Sequence, residues 1–240
     1  MDVETKTGLP IETVEEALIA GLRSSGAVAL AAPTGSGKST QVPKMLLRHG
    51  LLEAGQVVIV QPRRLATRLL AGRVAKELGV RLGEEVGYQV RFENRTSART
   101  RVCFVTEGIL GRRLIEDPDL RGVAALVFDE FHERHLTSDV AVALARLLRV
   151  RRPEVKVVVM SATLEVGRVR EFLEPCAEVC AEGRTFPVAV SYWDRRIDLK
   201  REPVWEVAAE AWVRAGVRPE DGHGLIFMPG AYEISRTVQA

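Results

Sequence analysis

Short apolar runs alternate with longer amphipathic stretches along this chain as far as residue 181. The runs are rich in Val, Ala and Ile and are bounded by Gly, Pro or charged residues, which is typical of buried strands. We predict such strands at residues 27–31, 56–61, 102–105, 124–128 and 155–160. Because amphipathic stretches separate the strands, the pattern predicts an α/β fold with a mainly parallel sheet.

Apolar residues at every third or fourth position predict helices between these strands. The predicted helices cover residues 10–25, 41–48, 65–78 and 109–116, and a further helix begins at Ser138. Residues 85–92 are predicted to be extended and residues 93–100 to form a polar turn. The last helix ends in a basic cluster, residues 149–153, which we interpret mainly as charges that complement the helix dipole. A nucleic-acid patch is the alternative interpretation of this cluster.

The pattern changes after residue 181. Residues 182–187, Glu-Gly-Arg-Thr-Phe-Pro, interrupt the alternation and predict a hinge or linker. Beyond them we predict a strand at 188–193, a helix at 204–213, a strand at 225–228 and the start of another helix. A segment of this size buries little apolar surface by itself, so we expect it to be the beginning of an incomplete second domain.

The clearest chemical motif is Ala-Pro-Thr-Gly-Ser-Gly-Lys-Ser-Thr at residues 32–40, between a predicted strand and a predicted helix. Its glycines allow a tight turn in which backbone N–H groups converge on a phosphate at the helix N-terminus. Lys38 can reach terminal phosphate oxygens, and the Ser39 hydroxyl can ligate Mg²⁺. We therefore assign nucleotide binding to Thr34, Gly35, Ser36, Gly37, Lys38, Ser39 and Thr40.

Two carboxylates, Asp129 and Glu130, follow directly on the predicted strand 124–128. Asp129 can hold Mg²⁺ directly or through a water, and Glu130 can orient and deprotonate the water that attacks the terminal phosphate. His132 can hydrogen-bond to a neighbouring loop and sense the nucleotide, or it can merely cap the turn. The predicted catalytic set is therefore Lys38, Asp129, Glu130 and His132, with Ser39 and Asp129 as metal ligands.

Polar residues also follow two other predicted strands. Arg63 and Arg64 come after strand 56–61, at the edge where open α/β sheets bind ligands, and their guanidinium groups suit phosphates. A solvated charge pair is the alternative interpretation. Ser161 and Thr163 end the strand at 155–160, where their hydroxyls can link the hydrolytic site to more distant parts of the molecule.

Composition narrows the classes of function. The chain has 240 residues, with 34 Lys and Arg against 32 Asp and Glu, so any nucleic-acid site must be local rather than a bulk polycation. Aromatic residues make up only 5%, which argues against base stacking as the main recognition mode. The three cysteines form no even framework, and no apolar run approaches the roughly 18 residues of a membrane span. We expect a soluble, cytoplasmic protein.

These motifs, in this order, resemble those of the DEAH-box helicases of superfamily 2. Residues 32–40 resemble motif I, 61–66 motif Ia, 106–110 motif Ib, 129–132 motif II and 161–163 motif III. Two segments are most similar to the bacterial HrpB-type branch of this family. They are the motif II sequence Asp-Glu-Phe-His-Glu-Arg and the sequence Glu-Gly-Arg-Thr-Phe-Pro-Val that begins at residue 182.

The resemblance implies a RecA-like P-loop NTPase domain over residues 1–181, a linker at 182–187 and the start of a second RecA-like domain at 188–240. It also implies ATP or another NTP with Mg²⁺ as cofactors, and a single-stranded nucleic acid, RNA favoured over DNA, as partner. In such enzymes the residues corresponding to Arg63, Arg64 and Thr106 hold the nucleic-acid backbone. Further roles implied by the resemblance are adenine stacking for Arg73 and coupling for Ser161 and Thr163.

The same resemblance implies that motifs V and VI, with their arginine fingers, lie in the rest of the helicase. Because an arginine finger contributes about 10³ to 10⁵ in rate, we expect this polypeptide alone to be nearly inactive. A nonhydrolysing, nucleotide-responsive binding module is a second hypothesis, which the Glu130 carboxylate disfavours. A small-molecule kinase or a transporter ATPase is a third, and the chain has no Leu-Ser-Gly-Gly signature to support a transporter.

Overall fold

A computed structural model describes residues 8–53, 55–163, 166–183, 188–218, 220 and 222–240. The chain divides into two units, Met1–Thr185 and Phe186–Ala240. All strands found in the described residues belong to the larger unit, in one eight-stranded sheet. They are β1 Ala27–Ala31, β2 Gln56–Gln61, β3 Val86–Val90, β4 Glu93–Arg95, β5 Val102–Thr106, β6 Val123–Phe128, β7 Lys156–Ser161 and β8 Ala177–Cys180.

The strand order is β4-β3-β5-β2-β6-β7-β1-β8, and every neighbouring pair is parallel except β3 with β4. The α/β prediction with a mainly parallel sheet is therefore confirmed. Helices connect the strands and follow them to the end of the chain. They are α1 Glu15–Ser25, α2 Lys38–Arg48, α3 Arg64–Glu77, α4 Glu107–Glu116, α5 Leu136–Arg151, α6 Gly167–Phe172, α7 Val204–Ala215 and α8 Ala231–Gln239, with 3₁₀ turns at Pro10–Val14 and Phe131–Glu133.

The sheet is buried on both faces. Along β2, Val57 and Ile59 pack into the core that also contains residues of α1, α2 and α3, whereas Val58 and Val60 pack into the core that contains residues of α4 and α5. This alternation follows from the two-residue period of a strand. Each large aliphatic side chain that is buried in this way contributes about 1.5–3 kcal/mol, so helices on both faces stabilise the sheet.

The parallel strands end at one edge of the sheet. Ala31 of β1 lies beside Ser161 of β7, and Gln61 of β2 lies beside Thr106 of β5. Residues that directly follow or end these strands are therefore neighbours, although they are far apart in sequence. This edge is where open α/β sheets bind their ligands.

The structure differs from the sequence prediction at three places in the larger unit, and one of them is the short helix α6, which the sequence analysis did not predict. The predicted polar turn at 93–100 contains β4, which pairs with β3 through Tyr88 and Arg95. Strand β8 was not predicted, because its sequence, Ala-Glu-Val-Cys, has only one fully buried residue, Val179. An edge strand that buries one side chain has too weak a pattern for recognition from sequence.

The basic cluster at the end of α5 is engaged with the surrounding backbone. Arg149 donates hydrogen bonds to the carbonyls of Ser25, Leu173 and Pro175. Arg152 donates to the carbonyls of residues 119 and 120, and Arg151 to that of residue 118. These contacts fasten the helix end to neighbouring loops and favour a structural role for the cluster over a nucleic-acid patch.

In the smaller unit only the helices appear as predicted. The described part of this unit contains α7 and α8, whereas the strands predicted at 188–193 and 225–228 are wrong, because both segments lie outside any sheet. A strand requires a neighbouring strand for its backbone hydrogen bonds, and neither segment has one among the described residues. Of the predicted linker, residues 184–187 lie outside the described part of the chain.

Candidate nucleotide and nucleic-acid site

The phosphate loop has a conformation that requires glycine. Gly35 has φ 78° and Gly37 has φ 90°, both in the left-handed region. A β-carbon on Gly37 would also lie 2.7 Å from Leu9 Cδ1. The loop is tied to the chain before it by a hydrogen bond of 3.2 Å from the Ile11 N–H to the Ser36 carbonyl. Gly37 directly precedes α2, so the loop ends at a helix N-terminus.

Donors for an anion are present in this loop. α2 begins at Lys38, so the N–H groups of Lys38 and Ser39 have no carbonyl of this helix to bond to, whereas those of Thr40 and Gln41 donate to the Gly37 carbonyl. The Ser36 hydroxyl is buried and finds no hydrogen-bond partner in the part of the chain that the structure describes. A buried orphan hydroxyl beside unpaired backbone donors fits the oxygens of a phosphate group.

The phosphate loop and the acidic pair meet at this edge of the sheet. Lys38 is almost fully buried, and its Nζ lies 3.7 Å from Glu130 Oε1. Glu130 belongs to the turn after β6, whereas Lys38 begins the helix after β1. Their contact brings together a group for phosphate oxygens and a carboxylate that can act on water.

Asp129 is held by two hydrogen bonds. Its Oδ2 accepts from Gln61 Nε2 at 2.5 Å, and its Oδ1 accepts from the Glu130 N–H at 2.9 Å. Asp129 and Gln61 are both buried. The sequence analysis placed Gln61 in a motif but assigned it no role. A polar residue at the end of a buried strand was the feature that could have indicated its contact with the site. The remaining lone pairs of this oriented carboxylate are suited to a hard cation.

Glu130 has an unusual backbone conformation, with φ 53°. For a residue other than glycine the left-handed region costs about 1 kcal/mol or more, and such residues are concentrated at functional sites. The second carboxylate oxygen of Glu130 lies 3.3 Å from His132 Nε2. His132 Nδ1 accepts a 3.2 Å hydrogen bond from the Ala162 N–H, so a neutral ring carries its proton on Nε2, facing Glu130.

The turn after β7 is part of the same cluster. Ser161 Oγ lies 3.1 Å from Thr163 Oγ1 and accepts a hydrogen bond from the Thr163 N–H. The Ser161 carbonyl accepts from the N–H of Ala32, the first residue of the phosphate loop, at 2.9 Å. Through His132 and Ala32, this turn contacts both the turn after β6, residues 129–133, which we call the acidic turn, and the phosphate loop.

The residues predicted to hold nucleic acid are separated into two places. Arg64 and Thr106 line one cavity of about 720 Å³, together with Arg91 and Arg112. Arg63 lies outside the lining of this cavity and forms an ion pair with Glu133, Nη2 to Oε1 2.8 Å. The cavity wall has three arginines against two carboxylates, Glu93 and Glu107, so the excess of positive charge that favours a phosphate backbone is one.

Arg73 forms an ion pair with Glu77, one turn further along α3. Glu77 also accepts hydrogen bonds from Lys44 at 2.7 Å and from Gln41 at 3.3 Å, both on α2. Partial burial by itself raises the pKa of Glu77, but the hydrogen bonds and charges of Lys44 and Arg73 outweigh it and lower this pKa below its ordinary value. Because Gln41 also donates to Thr40 Oγ1, the Arg73 ion pair connects with the helix of the phosphate loop.

Comparison with known protein families identifies the family whose motifs form this site. The family model described as DEAD/DEAH box helicase matches residues 12–172, which contain the phosphate loop, the acidic turn and the turn after β7. The chain belongs to the DEAD/DEAH box helicase family. Among the described residues of this family member, no helix is long and apolar enough to cross a membrane.

Curated members of the family are similar along most of this chain. It is 40% identical over 96% of its length to the ATP-dependent RNA helicase HrpB of Escherichia coli (strain K12) and covers 28% of that protein. It is 36% identical over 96% of its length to the probable ATP-dependent RNA helicase DHR2 of Saccharomyces cerevisiae and covers 31% of it. The chain thus spans less than a third of the length of these DEAD/DEAH relatives.

Solved structures of the family have the same fold. The crystal structure of Escherichia coli DEAH/RHA helicase HrpB matches with a TM-score of 0.87 and 39% identity over 96% of this chain and 29% of that one. A second crystal structure, of E. coli DExH-box NTPase HrpB, matches with a TM-score of 0.76 and 36% identity over 99% of this chain and 29% of that one. At these identities the fold is the RecA-like fold of the helicases.

Proposed function

We propose that this chain is the nucleotide-binding part of an ATP-dependent RNA helicase, in which NTP hydrolysis drives the unwinding or remodelling of nucleic acid. The observation that carries the proposal is the contact between Lys38 and Glu130 at the carboxyl edge of a parallel sheet. The names of the two curated relatives, both ATP-dependent RNA helicases, favour RNA over DNA as the strand.

Residues 34–40 of the phosphate loop would hold the triphosphate, with Lys38 at the terminal oxygens. Ser39 and Asp129 would hold Mg²⁺, which neutralises phosphate charge when it is bound. No cluster of three or more His, Cys, Asp or Glu that could hold a metal occurs in the described parts of the chain. Two protein ligands suffice here, because Mg²⁺ keeps several waters and uses substrate phosphates as further ligands.

Glu130 would act as the base that orients and deprotonates the attacking water. His132 presents its Nε2 to this carboxylate while the Ala162 N–H fixes the other ring nitrogen. We propose that His132 positions Glu130 and connects it with Ser161 and Thr163, which would transmit the nucleotide state. Arg73 would stack on the adenine after release from its ion pair with Glu77.

Arg64 and Thr106 would hold the backbone of the single strand in the cavity that they share, and Arg63 would add a further phosphate contact. Along the chain, we propose a first RecA-like domain at 1–181, a linker at 182–187 and the start of a second domain at 188–240. The remaining part of the helicase, with motifs V and VI, would complete the hydrolytic site. We also propose a cytoplasmic location.

Nucleotide binding is tested by titrating the chain with a fluorescent ATP analogue and Mg²⁺. We expect Lys38→Ala to weaken binding by tenfold or more, since a buried charge-assisted contact contributes about 1.5–3 kcal/mol. Lys76→Ala, an exposed site on α3, is the matched control and should bind normally. Equal affinity of both variants would refute the assigned phosphate site.

Hydrolysis is tested separately with Glu130→Gln in single-turnover assays with excess protein. We expect a rate loss of about 10² to 10⁴, typical for a general base, with nucleotide affinity retained. Without the rest of the helicase, the unmodified chain should turn over far more slowly than a typical kcat of about 10 s⁻¹. Normal hydrolysis by Glu130→Gln would remove Glu130 as the base, and an unmodified chain that binds but never hydrolyses would favour the binding-module hypothesis.

A further inference from the structure

Arg63 and Glu133 form an ion pair that links two functional segments. Arg63 directly precedes α3 and belongs to the pair of arginines proposed to hold nucleic acid, whereas Glu133 lies in the acidic turn, three residues after Glu130. The Arg63 side chain is 73% exposed and has Glu133 as its acidic partner. This exposed guanidinium, beside the proposed nucleic-acid site, is accessible to a phosphate, yet its Nη2 already donates to a carboxylate.

Glu133 is itself fixed between two groups. Its other carboxylate oxygen, Oε2, lies 3.6 Å from His135 Nε2, and His135 Nδ1 lies 3.4 Å from Glu107 Oε1. Glu107 follows Thr106 directly and accepts hydrogen bonds from Thr137 and Ser138. The segment 130–138 therefore contacts Lys38 through Glu130. It also contacts the proposed nucleic-acid site, because Glu133 pairs with Arg63 and His135 lies beside Glu107.

Carboxylate and phosphate groups both bind a guanidinium group through negatively charged oxygens that accept its hydrogen bonds. Both accept hydrogen bonds from the same N–H donors, so a phosphate that takes the Nη2 donor of Arg63 must displace Glu133 Oε1. The ion pair is on the surface, where such pairs are weak, so a nucleic acid can displace the carboxylate at modest cost. A contact of this strength is suited to exchange rather than to permanent structure.

We propose that Glu133 is a positioning residue that competes with the nucleic-acid backbone for Arg63 and reports the exchange to Glu130. The inference rests on the proposed function and adds a means of regulation to the same site. When a phosphate displaces Glu133, the turn that carries Glu130 loses one of its anchors. By linkage, the nucleotide state that moves this turn then changes strand affinity by the same factor.

The first experiment measures binding of a fluorescein-labelled single-stranded RNA to the full chain by anisotropy, without nucleotide. Glu133→Gln should bind about two- to fivefold tighter, the fold-change that corresponds to an exposed ion pair. Glu154→Gln is the matched control, because Glu154 pairs with Arg152 at 2.8 Å, in the loop before β7, and the substitution removes the same charge. This control should change affinity by less than half as much.

A second variant separates the contact from the charge. Glu133→Asp keeps the negative charge but shortens the side chain by one methylene, so it should release Arg63 and also tighten RNA binding. It keeps the proposal testable if thermal unfolding shows that Glu133→Gln is misfolded. In the Glu133→Gln background, Arg63→Ala should abolish the gain.

The coupling between RNA binding and nucleotide binding provides a further measurement. A merely structural role of Glu133 would leave this coupling unchanged. The affinity for a fluorescent ADP analogue is measured with and without saturating RNA, and the ratio should approach one in Glu133→Gln. Affinities and ratios equal to those of Glu154→Gln would overturn the inference. In that case, weaker RNA binding by Arg63→Ala and Arg64→Ala would leave the proposed function standing, whereas normal binding by both would refute the strand site itself.

Discussion

The two units of this chain both contain amphipathic helices, but among the described residues only the larger has strands, and the units differ in what their elements bury. In the larger unit, the central strands are fully enclosed, and Phe104, Phe128 and Ile59 are among the largest buried side chains. In the smaller unit, no described residue is buried, and Tyr192 and Phe227 are 91% and 87% exposed. Amphipathic segments therefore produce a core only where enough of them meet.

The two helices of the smaller unit bury little apolar surface against each other. Trp205 of α7 meets Tyr232 of α8 edge to face, with 5.7 Å between ring centroids. Both helices have apolar residues that stay exposed, such as Val213 and Val238. Small units bury a low fraction of their unfolded surface and are marginal without further support. We infer that the larger unit carries the site and most of the stability.

The largest expected effect concerns core packing. Phe104→Ala should destabilise the chain by about 3–5 kcal/mol, because it removes a buried ring and leaves a cavity. Phe227→Ala, in the smaller unit, should change stability by less than about 0.5 kcal/mol, as exposed substitutions do. Urea unfolding monitored by circular dichroism checks both. Similar losses for the two variants would contradict the contrast between the units.

A smaller effect is expected for the buried polar contact behind the acidic turn. Gln61→Leu removes the side-chain donor to Asp129 and should cost about 1–3 kcal/mol in stability, since a buried charged acceptor loses one of its two partners. It should also weaken Mg²⁺-dependent nucleotide binding, because Asp129 loses its orientation. Gln239→Leu, near the end of α8, provides the comparison in the smaller unit. If Gln61→Leu retains full stability, the hydrogen bond is not a determinant of this site.

A still smaller difference between the two units is expected in how their stability changes at acidic pH. The pKa of Glu77 is lowered, since the ion pairs outweigh partial burial, and the pKa of Glu202 is lowered by a hydrogen bond from Arg195. A depressed folded-state pKa contributes stability above the ordinary carboxyl value and loses it as pH falls through the folded value. Glu77→Gln should therefore flatten the acid side of the stability curve, by less than about 1 kcal/mol.

The same measurement on Glu202→Gln sharpens the comparison. Glu202 belongs to the smaller unit, where its pairing stabilises no buried structure, so unfolding of the larger unit should not respond to this change. Stability is followed by thermal unfolding between pH 3 and pH 7. A response of Glu202→Gln equal to that of Glu77→Gln would indicate that the two units unfold together.

The smallest expected effect is on salt dependence. Arg64→Ala should lower the slope of log affinity for single-stranded RNA against log salt by about 0.7, the value for one lost phosphate contact. Arg214→Ala, on α7 of the smaller unit, is the matched control and should leave the slope unchanged. An unaltered slope in Arg64→Ala would remove this residue from the strand site.

Residue patterns predicted the larger unit well because its strands are buried on both faces. Runs such as residues 102–105 are continuous and apolar, and such runs indicate a strand without any tertiary information. Prediction failed where burial is partial or context supplies the partner. The β8 strand buries one side chain, and the strands expected at 188–193 and 225–228 required neighbours that the described residues do not provide.

Sequence alone determined the chemistry available to this protein, because residue types and their order specify a glycine-bounded loop, two carboxylates and a set of arginines. Only the tertiary structure decided which of these groups meet. Gln61 reaches Asp129 and Arg63 reaches Glu133 across 68 and 70 residues of sequence. Contacts of such separation depend on strand order and register, which local patterns do not encode. The parallel sheet brings these distant residues to one edge, and there the individual motifs become a site.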